Sequence, residues 1–187
     1  MKETRIEGQQ LKALLKSFPQ RLESFPKVRL IVIGDIGLDE YVMGDVRRIS
    51  PEAPVPVLEV QGQDYRLGLS ANVAQNVASM GGIPLLVGVV GHDATADDLR
   101  KHLRSAEVSP DHLIVDPSRP TTRKLRFVSE HHATHLLRAD WELAKPADKK
   151  IESALIKQSL AALPRADAVV ISDYAKGVLT PRVLRAI

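Results

Sequence analysis

The sequence predicts an α/β protein in which a mainly parallel sheet carries helices and a smaller β element stands beside it. Three observations lead there. Short apolar, β-branched runs at residues 28–33, 84–90 and 168–171 have the near-continuous hydrophobicity of strands buried on both faces. Amphipathic helical patterns separate them, and the alternation of the two signals a parallel sheet. Additional strand-like pairs at 40–46 with 55–61, and at 122–129 with 134–139, lack intervening helices and form the smaller β element.

Along the chain, Leu11, Leu14, Leu15, Phe18 and Leu22 recur with helical spacing broken by Pro19, so residues 1–27 read as a kinked helical extension. The first buried strand ends at Gly34. A proline-bearing turn at 49–56 separates the first strand-like pair. Ser70 is placed to cap a helix bearing Val73, Ala74, Val77, Ala78 and Met80, and Gly81-Gly82 ends it. The strand at 84–90 follows. Asp93 or Thr95 caps the next helix, whose Ala96, Leu99, Leu103 and Ala106 share a face. The strands at 122–129 and 134–139 form a hairpin. Ile151, Leu155, Ile156, Leu160 and Leu163 make another helical face, the strand at 168–171 follows, and a last helix begins near Thr180-Pro181.

Composition narrows the function classes. The 187 residues are 44% hydrophobic and 26% charged, which is globular usage, and contain no cysteine, which excludes a disulfide framework and thiolate chemistry. The formal charge of +3 is spread along the chain, so no nucleic-acid partner is expected. No apolar run approaches the roughly 20 residues of a membrane span. Residues 1–10 lack the apolar core of a secretory leader, and a cytoplasmic location is expected.

In an open α/β sheet, ligands bind beyond the carboxyl ends of the strands. Those ends carry Gly34, Asp35 and Asp39, then Gly88, Gly91 and Asp93, then Ser172, Asp173, Tyr174 and Lys176. Carboxylates accept hydrogen bonds from sugar hydroxyls and a lysine neutralises phosphate, so a phosphorylated polyol fits the mixture. Residues 66–72 open a helix, where Gly68 and the Asn72 amide either face the same crevice or simply make the turn. In the hairpin, alternation puts Thr122, Lys124 and Arg126 on one face, with Leu125 and Phe127 on the other; the cationic face either meets a ligand or is a solvated edge. His131, His132 and His135 read as turn histidines, since strand spacing does not converge them on a metal. Trp141 reads as a packing residue. Dinucleotide, P-loop and α/β-hydrolase signatures are absent.

The run Gly34-Asp35-Ile36-Gly37-Leu38-Asp39, with Gly44-Asp45-Val46-Arg47-Arg48-Ile49-Ser50-Pro51-Glu52-Ala53-Pro54-Val55-Pro56-Val57, resembles the ribokinase-like sugar kinases, and among them the heptose 7-phosphate kinases. Ser70-Ala71-Asn72-Val73-Ala74, Gly88-Val89-Val90-Gly91-His92-Asp93, Thr122-Arg123-Lys124-Leu125-Arg126, Leu137-Arg138-Ala139-Asp140 and Ser172-Asp173-Tyr174-Ala175-Lys176-Gly177 extend the resemblance over residues 28–179. It implies a three-layer α/β/α core within 28–187 and a β lid, with lid strands near 40–61 and 122–139. It also implies a sugar-phosphate substrate, ATP and magnesium as cofactors, and a homodimer through the lid.

By position in the motifs, Asp39 matches the carboxylate that holds sugar hydroxyls, and Asn72 matches the asparagine of the sugar-binding turn that contains Gly68. Lys124, Arg126, Arg138 and Lys176 are the phosphate-contact candidates, and Asp35 and Asp173 complete the substrate-binding set. Leu69 stands where the family has a glycine. The family's catalytic base lies in a C-terminal D-T-x-G-A-G-D segment that these 187 residues do not contain. The chain therefore reads as the N-terminal part of such a kinase domain, C-terminally truncated, with no catalytic base of its own and negligible activity alone. The alternatives are a non-catalytic sugar-phosphate-binding or dimerising module, or another ribokinase-like sugar kinase.

Overall fold

A computed structural model describes residues 15–19, 23, 25–129 and 134–187. Its seven strands are β1 (Arg29–Ile49), β2 (Pro56–Leu69), β3 (Ile83–Val90), β4 (Leu113–Val115), β5 (Thr122–Ser129), β6 (Thr134–Trp141) and β7 (Ala168–Ser172). The helices are α1 (Ser70–Ser79), α2 (Ala94–Ser105), α3 (Lys149–Ala162) and α4 (Pro181–Ala186).

Strand β1 belongs to two sheets. Its first third, Arg29 to Asp35, pairs in parallel with β3, and Leu30 to Gly34 pair in parallel with β7; with β4 beyond β3 this makes the core sheet. From Ile36 onward its partners change. Ile36 to Ile49 run antiparallel to β2, Gly37 to Gly44 run parallel to β5, and β6 closes the hairpin on β5. The expectation that the first strand ends at Gly34 is thus corrected. Polar residues at 35, 39 and 40 end the apolar run, but the hydrogen-bond ladder continues into the lid. The strand-like segment 40–46 is part of β1 itself.

The core sheet is covered on both faces. Val32, Ile36, Leu86 and Val90 pack against Ala71 and Ala74 of α1 and Leu99 and Leu103 of α2. Ile31, Ile33, Val87 and Val89 pack against Ile151 and Leu155 of α3 and Val183 of α4. Each fully buried Leu or Ile contributes about 1.5–3 kcal/mol, so these two clusters fix the sheet that presents the strand ends. The result is the expected α/β/α layering with a β lid. Leu160 departs from the helical-face reading: it is 45% exposed on the outer side of α3.

Gly34 is the point where β1, β7 and α1 meet. A Cβ there would lie 2.0 Å from the Ser172 carbonyl oxygen and 2.5 Å from Ser70 Oγ. Ser70 is not the helix cap that its position suggested: its hydroxyl donates to the Ser172 carbonyl at 3.2 Å, and Leu69 takes the N-cap position without a side-chain bond. Asp93 does cap α2, accepting from the Ala96 N–H at 2.9 Å, and Asp148 and Thr180 cap α3 and α4. In the N-terminal region, residues 15–19 are helical with Leu15 and Phe18 exposed. The rest of that predicted helix, including Leu11, Leu14 and Leu22, lies outside the described residues, as do His131 and His132.

Candidate functional site

The carboxyl ends of β3 and β7 converge below the lid with the point near Asp35 where β1 leaves the core sheet. Asp35, 1% exposed, points into the loop after β7. Its Oδ2 accepts the N–H groups of Tyr174 at 2.8 Å and Lys176 at 3.2 Å, and its Oδ1 accepts that of Val178 at 3.3 Å. Asp35 thus holds the loop that carries Asp173 and Lys176. Arg119 braces the loop from the other side, bound to Asp116 at 2.8 Å and donating to the carbonyls of Lys176 and Lys145. Burial would push the Asp116 carboxyl up, but hydrogen bonds from Ser118 and Arg119 outweigh it and hold it below the ordinary range. Asp93 behaves likewise: against burial, the bonds from Thr121 and Ala96 keep its carboxyl low.

The lid supplies one polar face. Strand alternation and the registers of β1, β2, β5 and β6 bring Asp39, Tyr41, Gly68, Arg66, Lys124, Arg126, Arg138 and Asp140 to the same side. Asp39 Oδ1 accepts from Arg126 Nη1 at 2.6 Å. Gly68 lies under that carboxylate, where a Cβ would come within 2.8 Å of Asp39 Oδ2. The Tyr41 ring is flanked by the Arg66 guanidinium at 4.6 Å and that of Arg126 at 5.1 Å.

The other cations are held by carboxylates. Lys124 Nζ lies 3.0 Å from Asp140 Oδ2 and 3.0 Å from Glu142 Oε2. Arg138 Nε bonds Asp140 at 2.9 Å, and Lys176 Nζ pairs with Glu142 Oε1 at 2.8 Å. Hydrogen bonds from the Lys176 and Lys124 ammoniums draw the Glu142 carboxyl below its ordinary value. For Asp140, burial pushes upward and is overcome by Lys124 and Arg138. Lys124 is raised in turn, since its two carboxylates outweigh its desolvation.

The cationic candidates fall into two groups: Arg126 pairs with Asp39, while Lys124, Arg138 and Lys176 are linked through Asp140 and Glu142, and Arg126 touches that second group by donating to the Lys124 carbonyl at 3.4 Å. Asp173 is exposed and accepts from the Ala175 N–H within its own turn at 2.8 Å. Asn72 is exposed on the first turn of α1 and lines a cavity of about 310 Å³ with Tyr65, Gln75 and His102, which Arg66 of the polar lid face also borders. Asp140, Glu142, Asp116 and Arg119 hold these groups without being among the candidates that the sequence points to. Only the hairpin register, which sets Lys124 opposite Asp140, could have indicated the first of them. On the opposite lid face, Glu40 is buried against Arg123 at 2.6 Å, and Arg123 lies 4.7 Å over Trp141. Trp141, expected as a packing residue, is 44% exposed and serves as a platform for that guanidinium.

Among the described residues, no group of three or more His, Asp and Glu side chains is placed to hold a metal ion. We therefore assign none of them to magnesium. No helix among them is long and apolar enough to cross a membrane.

A three-layer parallel core with a lid that presents carboxylate and cations over the strand ends is the architecture of sugar kinases of the ribokinase type. The chain belongs to the pfkB family of carbohydrate kinases, whose family model matches residues 30–187. Phosphofructokinase-2 from Escherichia coli, in its tetrameric inhibited form, superposes with a TM-score of 0.60 at 18% identity, over 85% of this chain and 51% of that one. Arabidopsis thaliana ribokinase gives a TM-score of 0.53 at 18% identity, over 78% and 45%. In sequence, the chain is 51% identical over 168 residues to the bifunctional protein HldE of Bradyrhizobium sp. (strain ORS 278), which covers 90% of this chain and 34% of that protein. The chain spans about a third of the length of the curated relatives it matches.

Proposed function

We propose that this chain carries the acceptor side of a kinase that phosphorylates D-glycero-D-manno-heptose 7-phosphate at its anomeric hydroxyl with ATP, in the synthesis of ADP-heptose for lipopolysaccharide. The observation that carries the reading is the lid face on which Asp39 meets Arg126 beside Lys124 and Arg138, with Lys176 of the core loop reaching it through Glu142. It combines an acceptor for sugar hydroxyls with positive groups for a phosphate. The Gly44-to-Val57 motif and the likeness to HldE support heptose 7-phosphate as the particular sugar.

In this reading Asp39 accepts hydroxyl hydrogen bonds above Gly68, and Arg126 turns from Asp39 toward the substrate. Lys124, Arg138 and Lys176 face its phosphate, with Asp173 as a second hydroxyl acceptor at the crevice. Asp35 acts by fixing the loop, and Asn72 is the further sugar contact, reached through the cavity that it lines with Arg66. Transfer to the anomeric oxygen needs a base for the hydroxyl proton. No D-T-x-G-A-G-D segment occurs in these residues, so the chain alone binds acceptor without turnover. ATP and magnesium serve the family reaction.

The far end of the lid supports a homodimer contact. Val55, Pro56, Leu58, Phe127, Leu136 and Leu137 surround an apolar depression of about 400 Å³, a surface that a second lid can cover.

The test is ADP formation by the purified chain given ATP, magnesium and heptose 7-phosphate. No turnover above background is expected, alongside saturable binding of the sugar phosphate. Turnover that disappears in Asp39→Ala would show that the chain is a complete kinase, and absence of any binding would remove the acceptor-site reading.

A further inference from the structure

Glu142 joins two parts of the molecule that otherwise meet little. Its Oε2 holds Lys124 of the lid strand β5, and its Oε1 holds Lys176 of the loop after β7 in the core. It begins the stretch 142–148 that leads from β6 to α3 and passes beside Asp35 and Ile36, where β1 leaves the core sheet. That stretch is tied down. The Ala147 N–H donates to the Gly177 carbonyl at 2.9 Å, and Arg119 donates to the Lys145 carbonyl at 3.2 Å. Leu143 lines the crevice with Asp35, Thr122, Lys176 and Val178, and the space left there is about 10 Å³, about one water molecule and far too little for a sugar.

We infer that Glu142 is a specificity gate: its carboxylate sits in the anion seat between Lys124 and Lys176, and a sugar phosphate enters by displacing it. The inference rests on the proposed acceptor site and adds to it the residue that sets selectivity. A phosphate monoester carries close to two negative charges and three strong acceptor oxygens, against one charge and two oxygens for a carboxylate. It can take both ammoniums from Glu142. An unphosphorylated sugar brings no charge to exchange, so the Glu142 pairs persist and the stretch stays across the crevice. Asp140 remains on Lys124 in either state and keeps the lid hairpin in register. The gate thus separates phosphorylated from neutral sugars before any chemistry.

Binding of heptose 7-phosphate and of unphosphorylated heptose to the wild-type chain, Glu142→Gln, Lys124→Gln and Lys176→Gln tests this by calorimetry. Glu142→Gln is isosteric and removes the Glu142 charge from both ammoniums, leaving Lys124 with Asp140 alone. It is expected to tighten heptose 7-phosphate about tenfold, while each lysine variant weakens it. Should Glu142→Gln fold poorly, Glu142→Asp, which shortens the reach to Lys176, is expected to give a smaller gain in the same direction. Unchanged or weaker phosphate binding in the Glu142 variants, with the lysine variants still impaired, would overturn the gate and leave the acceptor site standing. Indifference of the lysine variants would overturn both.

Discussion

The Asp39 carboxylate accepts a hydrogen bond from the Arg126 guanidinium at 2.6 Å, joining the two lid strands β1 and β5 directly above Gly68. Both partners stay partly open to solvent, at 23% for Asp39 and 15% for Arg126. A pair of this kind contributes about 0–1 kcal/mol to stability. Its worth lies in keeping a carboxylate and a guanidinium aligned and available to a ligand that offers hydroxyls and phosphate.

Asp39→Ala should therefore separate binding from folding. Loss of one charge-assisted acceptor is expected to weaken heptose 7-phosphate by about tenfold or more, since hydrogen bonds to charged groups contribute about 1.5–3 kcal/mol. Calorimetric titration reads the first effect and thermal unfolding the second, where little change is expected.

Leu69 has φ 55° and ψ −132° at the N-cap of α1, in a region of backbone space reserved almost entirely to glycine. Such a conformation costs about 1–3 kcal/mol in a residue with a Cβ. Elsewhere glycine is the less stable choice against alanine; here the order should invert. Chemical denaturation of Leu69→Gly and Leu69→Ala is expected to show the glycine variant more stable by about 1 kcal/mol. The opposite order would mean that the turn relaxes.

Asp35→Asn probes the clasp on the loop after β7. An amide presents one acceptor oxygen and an NH₂ group, so it cannot receive the three backbone N–H groups of Tyr174, Lys176 and Val178. Each donor left buried without a partner costs about 1–3 kcal/mol. A marked loss of stability is expected, with faster amide hydrogen exchange at 174–178 than in β3.

Acid should loosen the same region. The carboxyls of Asp93, Asp116, Asp140 and Glu142 are all lower in the folded chain than their ordinary values. Their contribution is complete above the unfolded values near 4 and is lost as pH falls through the folded ones. Lys124, which is raised, contributes fully below about 10.4 and loses that contribution only above it. Melting temperatures should be level from about pH 5 to neutrality and drop below about pH 4.

The alternation of buried strands and amphipathic helices is legible because apolar runs such as Ile31 to Ile33 and Leu86 to Val90 answer to burial on both faces. The passage of β1 into the lid is hidden for the same reason. Asp35, Asp39 and Glu40 break the run where the strand exchanges its core partners for lid partners. Period-two alternation reveals Lys124 and Arg126 as one face. Their acidic partners depend on hairpin register and, for Glu142, on a segment beyond β6, which spacing alone does not encode. The role of Asp35 is set by donors 139 to 143 residues away, a purely tertiary fact. The substitution of Leu69 for a family glycine, by contrast, points straight at its left-handed backbone.

An acceptor site for a phosphorylated sugar on the lid face is read out by titrating the chain with heptose 7-phosphate in the absence of nucleotide. Saturable one-to-one binding is expected, weakened about tenfold or more in Arg126→Ala and not matched by unphosphorylated heptose. Equal binding of the two sugars, or none of the phosphate, would contradict it.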